Sequence, residues 1–308
     1  MSNVGSVFFL LICVLVAVAF FTMLERKVLG YMALRKGPNK VGFLGVLQPM
    51  SDAVKLFTKE FSLPSGTFGF LFISGPIFNL FLMLSFWLVF PFFYLIEEMT
   101  LGFLYFLCLS SLSVYALMLS GWSSTSKFAL LGAYRAVSQT ISYEISMVFV
   151  LLIPFFSLKG FDFSCMASSG PWFLFLSLPL FCMWMFSLLA EANRAPMDMA
   201  EGESELVSGF NVEYSGGGFA MVFMAEYGSI LLLSVLTVVV FGGGFFFFVS
   251  SPFFFSMKFI AFSFFFVWVR AAYPRIRYNI LMDITWKCFL PVSVSLVFCG
   301  IGMLWLFS

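Results

Sequence analysis

The chain has 308 residues, of which 62% are hydrophobic and 10% are charged, and its formal net charge is +1. With a mean hydropathy of +1.05 and 21% aromatic residues, the apolar surface is too large to be hidden inside one soluble core, so the composition predicts a membrane protein. The chain contains no histidine, which excludes haem ligation by histidine and removes the most common zinc and copper ligand.

Apolar stretches that could cross a bilayer recur along the chain. About 20 consecutive apolar residues span the hydrocarbon core as a helix. Eight such stretches are present, at about 4–24, 68–93, 101–121, 138–157, 172–190, 219–241, 251–269 and 288–307. The alternating strands of a membrane barrel are not visible, so helices are the remaining way to satisfy the peptide groups in lipid. The sequence predicts an all-α integral membrane protein, in which residues 1–308 form a single polytopic membrane domain with eight transmembrane helices.

The basic residues test this topology. Fourteen of the sixteen Lys and Arg fall in connections on one side of the predicted membrane, and only Lys159 and Lys258 fall on the other side. By the positive-inside rule, the basic side faces the cytoplasm or its topological equivalent, and both termini face away from it.

The longest connection on the basic side runs from Glu25 to Glu60. It contains the turn signal Gly37-Pro38-Asn39 and then Gln48-Pro49, where a short helix is expected to begin. An apolar stripe and a polar face follow at helical spacing, formed respectively by Met50, Ala53, Val54 and Phe57 and by Asp52, Lys55 and Lys59. This pattern predicts an amphipathic helix in the plane of the interface. Such a helix is either a spacer on the membrane surface or the frame of a lateral opening for an apolar ligand.

The carboxylates are concentrated in one part of the chain. Nine of the fifteen lie from Glu144 to Glu226, where Lys159 and Arg194 are the only basic residues, and five lie in the run from Glu191 to Glu205. The long acidic loop between the fifth and sixth spans is either a solvated loop or a site. Clustered carboxylates raise one another's pKa and share protons, as a proton relay requires. Calcium or magnesium would use the same oxygens, but no D-x-D-x-D-G spacing supports such a site.

Two carboxylates are predicted inside the membrane. Glu144 lies about six residues into the fourth span and Glu226 about seven into the sixth, so each is roughly 10 Å below the basic-side boundary. Ionisable groups at that depth usually face a cavity and mark ion or proton paths. The six cysteines have no C-x-x-C spacing and no phosphate-binding loop is present, so electrons or energy must be carried by a partner or a diffusing ligand.

Several blocks of residues, in order along the chain, resemble a known family. They are Glu25-Arg26-Lys27 through Gly37-Pro38-Asn39, Gln48-Pro49 with Lys55 to Glu60, Gly121-Trp122-Ser123-Ser124, Arg135-Ala136-Val137 with Ser142-Tyr143-Glu144, Ala190-Glu191 with Asn193-Arg194, Ala200 to Tyr214, and Met224-Ala225-Glu226-Tyr227. These blocks are similar to the subunit 1 family of the proton-pumping NADH:ubiquinone oxidoreductase, respiratory complex I, of the mitochondrial type. Ala195 stands where members of the family often carry Thr.

The resemblance implies a function and a set of site residues. It implies a core membrane subunit that forms the ubiquinone access tunnel and the first part of the proton path, coupling quinone reduction to proton pumping, with ubiquinone as substrate and no redox centre or cofactor of its own. The quinone-binding candidates are Arg26, Arg35, Asp52, Phe57, Phe223 and Met224. The proton-path candidates are Tyr143, Glu144, Glu191, Asp198, Glu201, Glu203, Glu205, Glu213 and Glu226. For the apolar candidates the plain alternative is ordinary packing, and for the two arginines it is topology or subunit contact.

The resemblance also implies partners and a location. The partners are the peripheral-arm quinone-site and iron-sulfur subunits, the small membrane subunits, the antiporter-like subunits, ubiquinone and lipid, and no nucleic acid. The location is the mitochondrial inner membrane, with the acidic and basic loops on the matrix side and both termini on the intermembrane-space side. Two other classes remain open: a free-standing proton or cation transporter, and the membrane subunit of an energy-converting hydrogenase, which shares the acidic loop but not the quinone.

Overall fold

The computed structural model describes residues 2–90, 99–169, 172–245 and 252–307. All regular elements in these ranges are helical and none is a strand, which confirms the predicted all-α class. The α-helices are α1 (Ser2–Met32), α2 (Gln48–Thr58), α3 (Gly69–Phe86), α4 (Gly102–Ser123), α5 (Lys127–Leu158), α6 (Phe163–Ser169), α7 (Phe173–Leu176), α8 (Leu178–Glu191), α9 (Glu203–Leu206), α10 (Gly216–Val240), α11 (Pro252–Ala272), α12 (Tyr278–Asp283) and α13 (Leu290–Phe307). A π-helical turn, Ile284–Phe289, joins α12 to α13.

Seven helical segments in the described ranges are long and apolar enough to cross a membrane. They are Gly5–Met32, Gly69–Val89, Gly102–Ser123, Lys127–Leu158, Gly216–Val240, Pro252–Ala272 and Tyr278–Gly302. The predicted fifth span, 172–190, is divided at Ser177 into α7 and α8, and α8 has only 14 residues. Pro179 fits the first turn of α8, but it has no N–H with which to continue a helix from α7. Residues 91–93 and 251, at the ends of two predicted spans, lie outside the described residues.

Several helices extend beyond the apolar stretches that predict them. Helix α5 begins at Lys127, eleven residues before the predicted start at 138, and the Ser126 hydroxyl caps it by accepting a hydrogen bond from the Ala129 N–H at 3.4 Å. Glu144 therefore lies near the middle of a 32-residue helix. Hydropathy detects only the apolar part of a helix, whereas the backbone continues until a cap or turn ends it.

Helix α10 is the most enclosed of the long helices. It contacts α1, α2, α3, α6 and α11, and 78% of its apolar window is buried, whereas the other candidate spans bury 44% or less. A side chain on α10 therefore faces protein on almost every side. This is the helix that carries Glu226.

The acidic loop, residues 192–215, is folded onto the helices. Ala200 and Phe210 are almost completely buried, and the Gly209 Cα lies against Gly132 of α5, where a Cβ on Gly132 would be 3.0 Å away. Gly209 has a φ of +55°, and a Cβ built on it would lie 1.7 Å from the carbonyl oxygen of Ala200. The packing excludes the alternative of a fully solvated loop.

Candidate functional site

A buried arginine stands at the centre of the acidic residues. Arg194 Nη2 lies 3.3 Å from Glu226 Oε2, and the two side chains are only 8% and 12% exposed. The guanidinium also lies over the ring of Tyr227, 4.5 Å from the ring centroid. Its Nε is buried and has no hydrogen-bond partner among the described residues. One almost fully buried cation thus interacts with several acids, namely Glu25, Glu201 and Glu226.

The position of Arg194 is fixed by a side chain of α5. The Gln139 amide is fully buried and donates hydrogen bonds to the carbonyl of Ala190, at 2.9 Å, and to that of Met197, at 2.8 Å. These two carbonyls flank the turn that carries Arg194, whose own carbonyl accepts from the Met197 N–H at 2.8 Å. The turn is therefore attached to α5 by hydrogen bonds that satisfy buried backbone groups.

Glu201 is the best-connected acid of the loop. Its backbone N–H donates to Asp198 Oδ1 at 3.1 Å, and its Oε1 accepts from Asn211 Nδ2 at 2.8 Å. Burial raises the pKa of the Glu201 carboxyl above its usual range, and the charge of Arg194 opposes that rise. Glu201 also acts electrostatically on Glu226, so the loop acids and the helix acid share the field of Arg194.

A second ion pair closes the other side of this group. Arg270 of α11 binds Glu25 of α1, and the Glu25 side chain is only 7% exposed. Arg194 interacts electrostatically with Glu25 and Glu201, while Arg270 acts on both Glu201 and Glu226. Two guanidinium groups therefore face four carboxylates, those of Glu25, Asp198, Glu201 and Glu226. The carboxylates of this cluster therefore outnumber its guanidinium groups.

A cavity of about 70 Å³ lies between α3, α4, α5 and α10, and it connects two of the acids. Glu191 and Glu226 both line it. Because one water needs roughly 10–15 Å³ of such space, the cavity has room for several hydrogen-bonded waters. Polar side chains are spread over its wall: Asn79, Ser113, Thr140, Asn193 and Ser229. Water in this cavity would bridge Glu191 and Glu226.

Glu144, on α5, lies beyond Glu191, the last residue of α8. Its Oε1 accepts a hydrogen bond from the Ser110 hydroxyl at 2.9 Å, and the carboxylate interacts electrostatically with Glu191. The neighbouring Tyr143 is 1% exposed, and its hydroxyl has no hydrogen-bond partner in the described part of the chain. The Tyr143 ring meets Phe289 of the π-helical turn edge-on, with centroids 6.3 Å apart.

The remaining acidic candidates lie outside this buried group. Glu205 pairs with Arg135 at 2.5 Å, but the two side chains are 48% and 34% exposed. Glu213 is half-buried in the turn before α10, and the side chain of Glu203 lies outside the described residues. Within the described ranges, no group of three or more His, Cys, Asp or Glu residues could hold a metal ion.

The quinone-binding candidates lie around the place where α1, α2 and α10 contact one another. Arg26 of α1 pairs with Asp52 of α2 at 2.5 Å, and Asp52 also accepts from Gln48 Nε2 at 2.9 Å. Phe57 on α2 is 66% exposed, and Arg35 is exposed beyond the end of α1. The structure thus gathers Arg26 and Asp52, whereas Arg35 stands apart.

The two candidates on α10 face the neighbouring helices. Phe223 and Met224 are half-buried, and both pack against the main hydrophobic core. The Phe223 ring is tilted against Phe219 with centroids 4.2 Å apart, and it lies 6.2 Å from the ring of Tyr227. An aromatic column on α10 therefore leads towards the Arg194 group.

Sequence reasoning missed several members of the site. Asn79 lines the cavity and is the only amide side chain in the apolar helix α3, a signal that was available. Gln139 is a similar signal on α5. The pairing of Glu25 with Arg270 joins positions 245 residues apart, and no local pattern predicts it.

Comparisons with known proteins agree with the sequence resemblance. The model of the NADH dehydrogenase family matches residues 5–301. The chain is 52% identical to NADH-ubiquinone oxidoreductase chain 1 of Aedes aegypti over 305 residues, which cover 98% of this chain and 96% of that protein. It is 50% identical to the protein of the same name from Locusta migratoria, over 96% of this chain and 93% of the relative, and 50% identical to that from Salmo salar, over 92% and 89%.

Proposed function

The chain belongs to the NADH dehydrogenase family, and we propose that it is a core membrane subunit of an NADH-ubiquinone oxidoreductase. In this role it forms the ubiquinone access tunnel and the first part of the proton path, while partner subunits carry the electrons. The names of its relatives favour this function over a free-standing transporter or a hydrogenase subunit. The observation that carries the proposal is the polar cavity lined by both Glu191 and Glu226.

The proposed proton path begins in the acidic loop and crosses the interior. In this path protons pass from Asp198 and Glu201, which both interact electrostatically with Glu226, to Glu226 itself, and water in the cavity would carry them from Glu226 to Glu191. Buried carboxylates that share protons titrate as a group, which is the property of a relay. The remaining proposed members are Tyr143 and Glu144 beyond Glu191, and Glu203, Glu205 and Glu213 in the outer part of the loop.

The proposed quinone tunnel opens between α1, α2 and α10. Helix α2 is the interfacial amphipathic helix, because its exposed apolar side chains, Phe57 among them, are suited to lipid. The isoprenoid tail would pass along Phe223 and Met224, whose apolar surfaces need no polar partner. The polar head would meet the pair Arg26–Asp52, and Arg35 would orient the head or contact a neighbouring subunit.

The proposed topology keeps eight crossings. Helices α7 and α8 together form the fifth crossing, with the break at Ser177 accommodated by contacts with neighbouring helices. Residues 1–308 form one polytopic domain of the mitochondrial inner membrane, with the basic and acidic loops on the matrix side and both termini on the opposite side. The partners are the peripheral-arm, small membrane and antiporter-like subunits of the complex.

In the proposed function, quinone reduction is coupled to proton movement through a change in the charges of the acidic loop. Reduction of a quinone consumes protons, so it changes the protonation or conformation of the loop from Glu191 to Glu213. Such a change alters the balance of charges around Arg194 and biases the carboxylates of the cavity. A bias of this kind requires that the two states of the loop differ in their interactions with the same cation.

The substitution Glu144→Gln in the assembled complex tests the proton path. It keeps the acceptor for Ser110 but removes the titrating group, so we expect quinone-linked turnover and proton pumping in membrane vesicles to fall together by about 10²-fold or more. The matched control is Asp283→Asn, because Asp283 is 60% exposed and pairs with the 73% exposed Lys287. Intact pumping and quinone reduction in Glu144→Gln would remove the acid from the path.

Two further measurements test the assembly and the tunnel. On blue-native gels the chain should co-migrate with NADH dehydrogenase activity, and a small independent particle would support the transporter class instead. A photoreactive ubiquinone should label peptides of α1, α2 and α10. Labelling confined to the exposed face of α3, around Phe70, would contradict the proposed tunnel.

A further inference from the structure

Helix α3 contains a buried carbonyl that its own helix does not satisfy. Pro76 lies inside α3 and has no N–H, so the carbonyl of Phe72, four residues earlier, lacks its normal helical donor. Phe72 is fully buried. A buried backbone acceptor of this kind requires a partner from elsewhere in the protein.

The partner is Tyr214, the one tyrosine of the acidic loop. The Tyr214 hydroxyl donates towards the carbonyl of Phe72 at 3.2 Å and that of Ser120 of α4 at 3.4 Å. The Tyr214 ring is stacked on the Phe72 ring, with centroids 4.2 Å apart and planes within 7°. Burial raises the pKa of Tyr214 to about 12, so the hydroxyl keeps its proton and remains a donor at physiological pH.

Tyr214 is connected to the acidic group on one side. Its backbone N–H donates to the carbonyl of Asn211 at 3.2 Å, and the Asn211 side chain donates to Glu201 at 2.8 Å. Asn211 is 3% exposed, so this connection is shielded from water. Two hydrogen bonds therefore connect Glu201 to Tyr214 through Asn211.

On the other side, the Pro76 turn leads to the cavity. Asn79, one turn after Pro76, lines the cavity together with Glu191 and Glu226. Helices α3 and α4 cross closely beside the Tyr214 hydroxyl, since a Cβ on Gly75 would lie 3.2 Å from the Ser120 Cα. The hydroxyl thus sits at the point where the direction of α3, and with it the place of Asn79, is determined.

We propose that Tyr214 is a positioning residue that couples the acidic loop to the cavity: its hydroxyl supplies the donor that Pro76 withholds from the Phe72 carbonyl, and it thereby sets the place of Asn79 in the wall of the cavity that the two acids line. The inference rests on the proposed function, because it gives the cavity a role in proton transfer. It adds a mechanical connection between loop and cavity that involves no titration of Tyr214.

The substitution Tyr214→Phe tests this role in the assembled complex. It keeps the stacked ring and removes only the donor, so the complex should assemble while maximal quinone-linked turnover falls between about 2-fold and about 30-fold. The apparent KM for ubiquinone should stay within about two-fold, because the tunnel is not touched. The control Tyr134→Phe alters a tyrosine that is 57% exposed on α5 and should leave turnover unchanged.

Two double variants separate this role from simple damage to the fold. Adding Pro76→Ala returns an N–H to α3 opposite the Phe72 carbonyl, so it should restore at least about half of the lost turnover, and assembly too if Tyr214→Phe impairs it. In an Asn79→Ala background, Tyr214→Phe should have little further effect, because both act at one place. Parental turnover in Tyr214→Phe, a lack of rescue by Pro76→Ala, or additivity with Asn79→Ala would each overturn the inference. If Asn79→Ala and Glu226→Gln both leave pumping intact, the proposed proton path itself fails.

Discussion

Breaking the pair between Arg194 and Glu226 should loosen the acidic loop strongly. The side chains are 8% and 12% exposed, so Arg194→Met leaves a carboxylate buried without its cation. Removing one partner of a buried pair costs about 3–5 kcal/mol. At about 1.4 kcal/mol per factor of ten, the loop should open roughly a hundred-fold to a few thousand-fold more often. Hydrogen exchange of the Met197 amide, which is bonded to the Arg194 carbonyl, measures that opening in the assembled complex.

Two further variants test whether the buried charge is what holds the loop. Arg194→Met combined with Glu226→Gln removes both charges, and at least about half of the lost protection should return, because a buried pair is often replaceable by neutral groups. Arg135→Met breaks the half-exposed pair with Glu205 and should cost only about 0–1 kcal/mol. Unchanged exchange in Arg194→Met, or no recovery in the double variant, would refute the idea that the buried charge holds the loop.

Two further predictions concern the loop itself. Burial raises the pKa of Glu201 above 4.5, so the folded loop holds a proton that the opened loop loses; the stabilisation from this group is complete below pH 4.5 and disappears as the pH rises through the folded value. In Glu201→Gln, exchange protection corrected for intrinsic rates should therefore decline less with rising pH, and an identical decline would contradict the assignment. Gly209→Ala should prevent assembly, because the left-handed φ costs about 1–2 kcal/mol and the added Cβ would lie 1.7 Å from the Ala200 oxygen. Gly217→Ala is its control, since a Cβ there meets nothing within 4 Å, and equal assembly of the two variants would show that the loop tolerates the change.

Much of the fold follows from the sequence because its cause is local. Long apolar stretches require helices in lipid, and seven of the eight predicted spans correspond to long helices in the described residues, with bounds that shift where polar residues continue a helix, as at Lys127. The fifth predicted stretch is the exception, because its helix is interrupted at Ser177. Averaged hydropathy ignores the break at Ser177, which depends on Pro179 and on a backbone hydrogen bond from the Leu174 N–H to the carbonyl of Phe241, just after the end of α10.

The sequence indicated which acids form the candidate site, but it did not indicate the hydrogen bonds that hold them in place. The density of carboxylates around Arg194 indicated a site, and the structure brings Glu226, Glu201 and Asp198 into one electrostatic group. Glu205 lies outside that group because its side chain is 48% exposed. That exposure depends on how the loop folds, which the sequence does not specify. The attachment of the loop by Gln139 is a long-range hydrogen bond, which no residue pattern specifies.

A subunit that carries no redox group can take part in energy coupling only if a change in one of its parts alters the charge of a group in another part. Arg194 offers such a connection, because it is the cation shared by Glu201 in the loop and Glu226 in the cavity wall. When Glu201 gains a proton, it no longer repels the Glu226 carboxylate, so less opposes the pairing of Glu226 with Arg194; when Glu201 loses the proton, the repulsion returns. An Arg194→Lys variant, which keeps the charge but loses the planar group over Tyr227, should therefore retain more coupling than Arg194→Met, and equal loss of pumping in both variants would show that geometry rather than charge carries the signal.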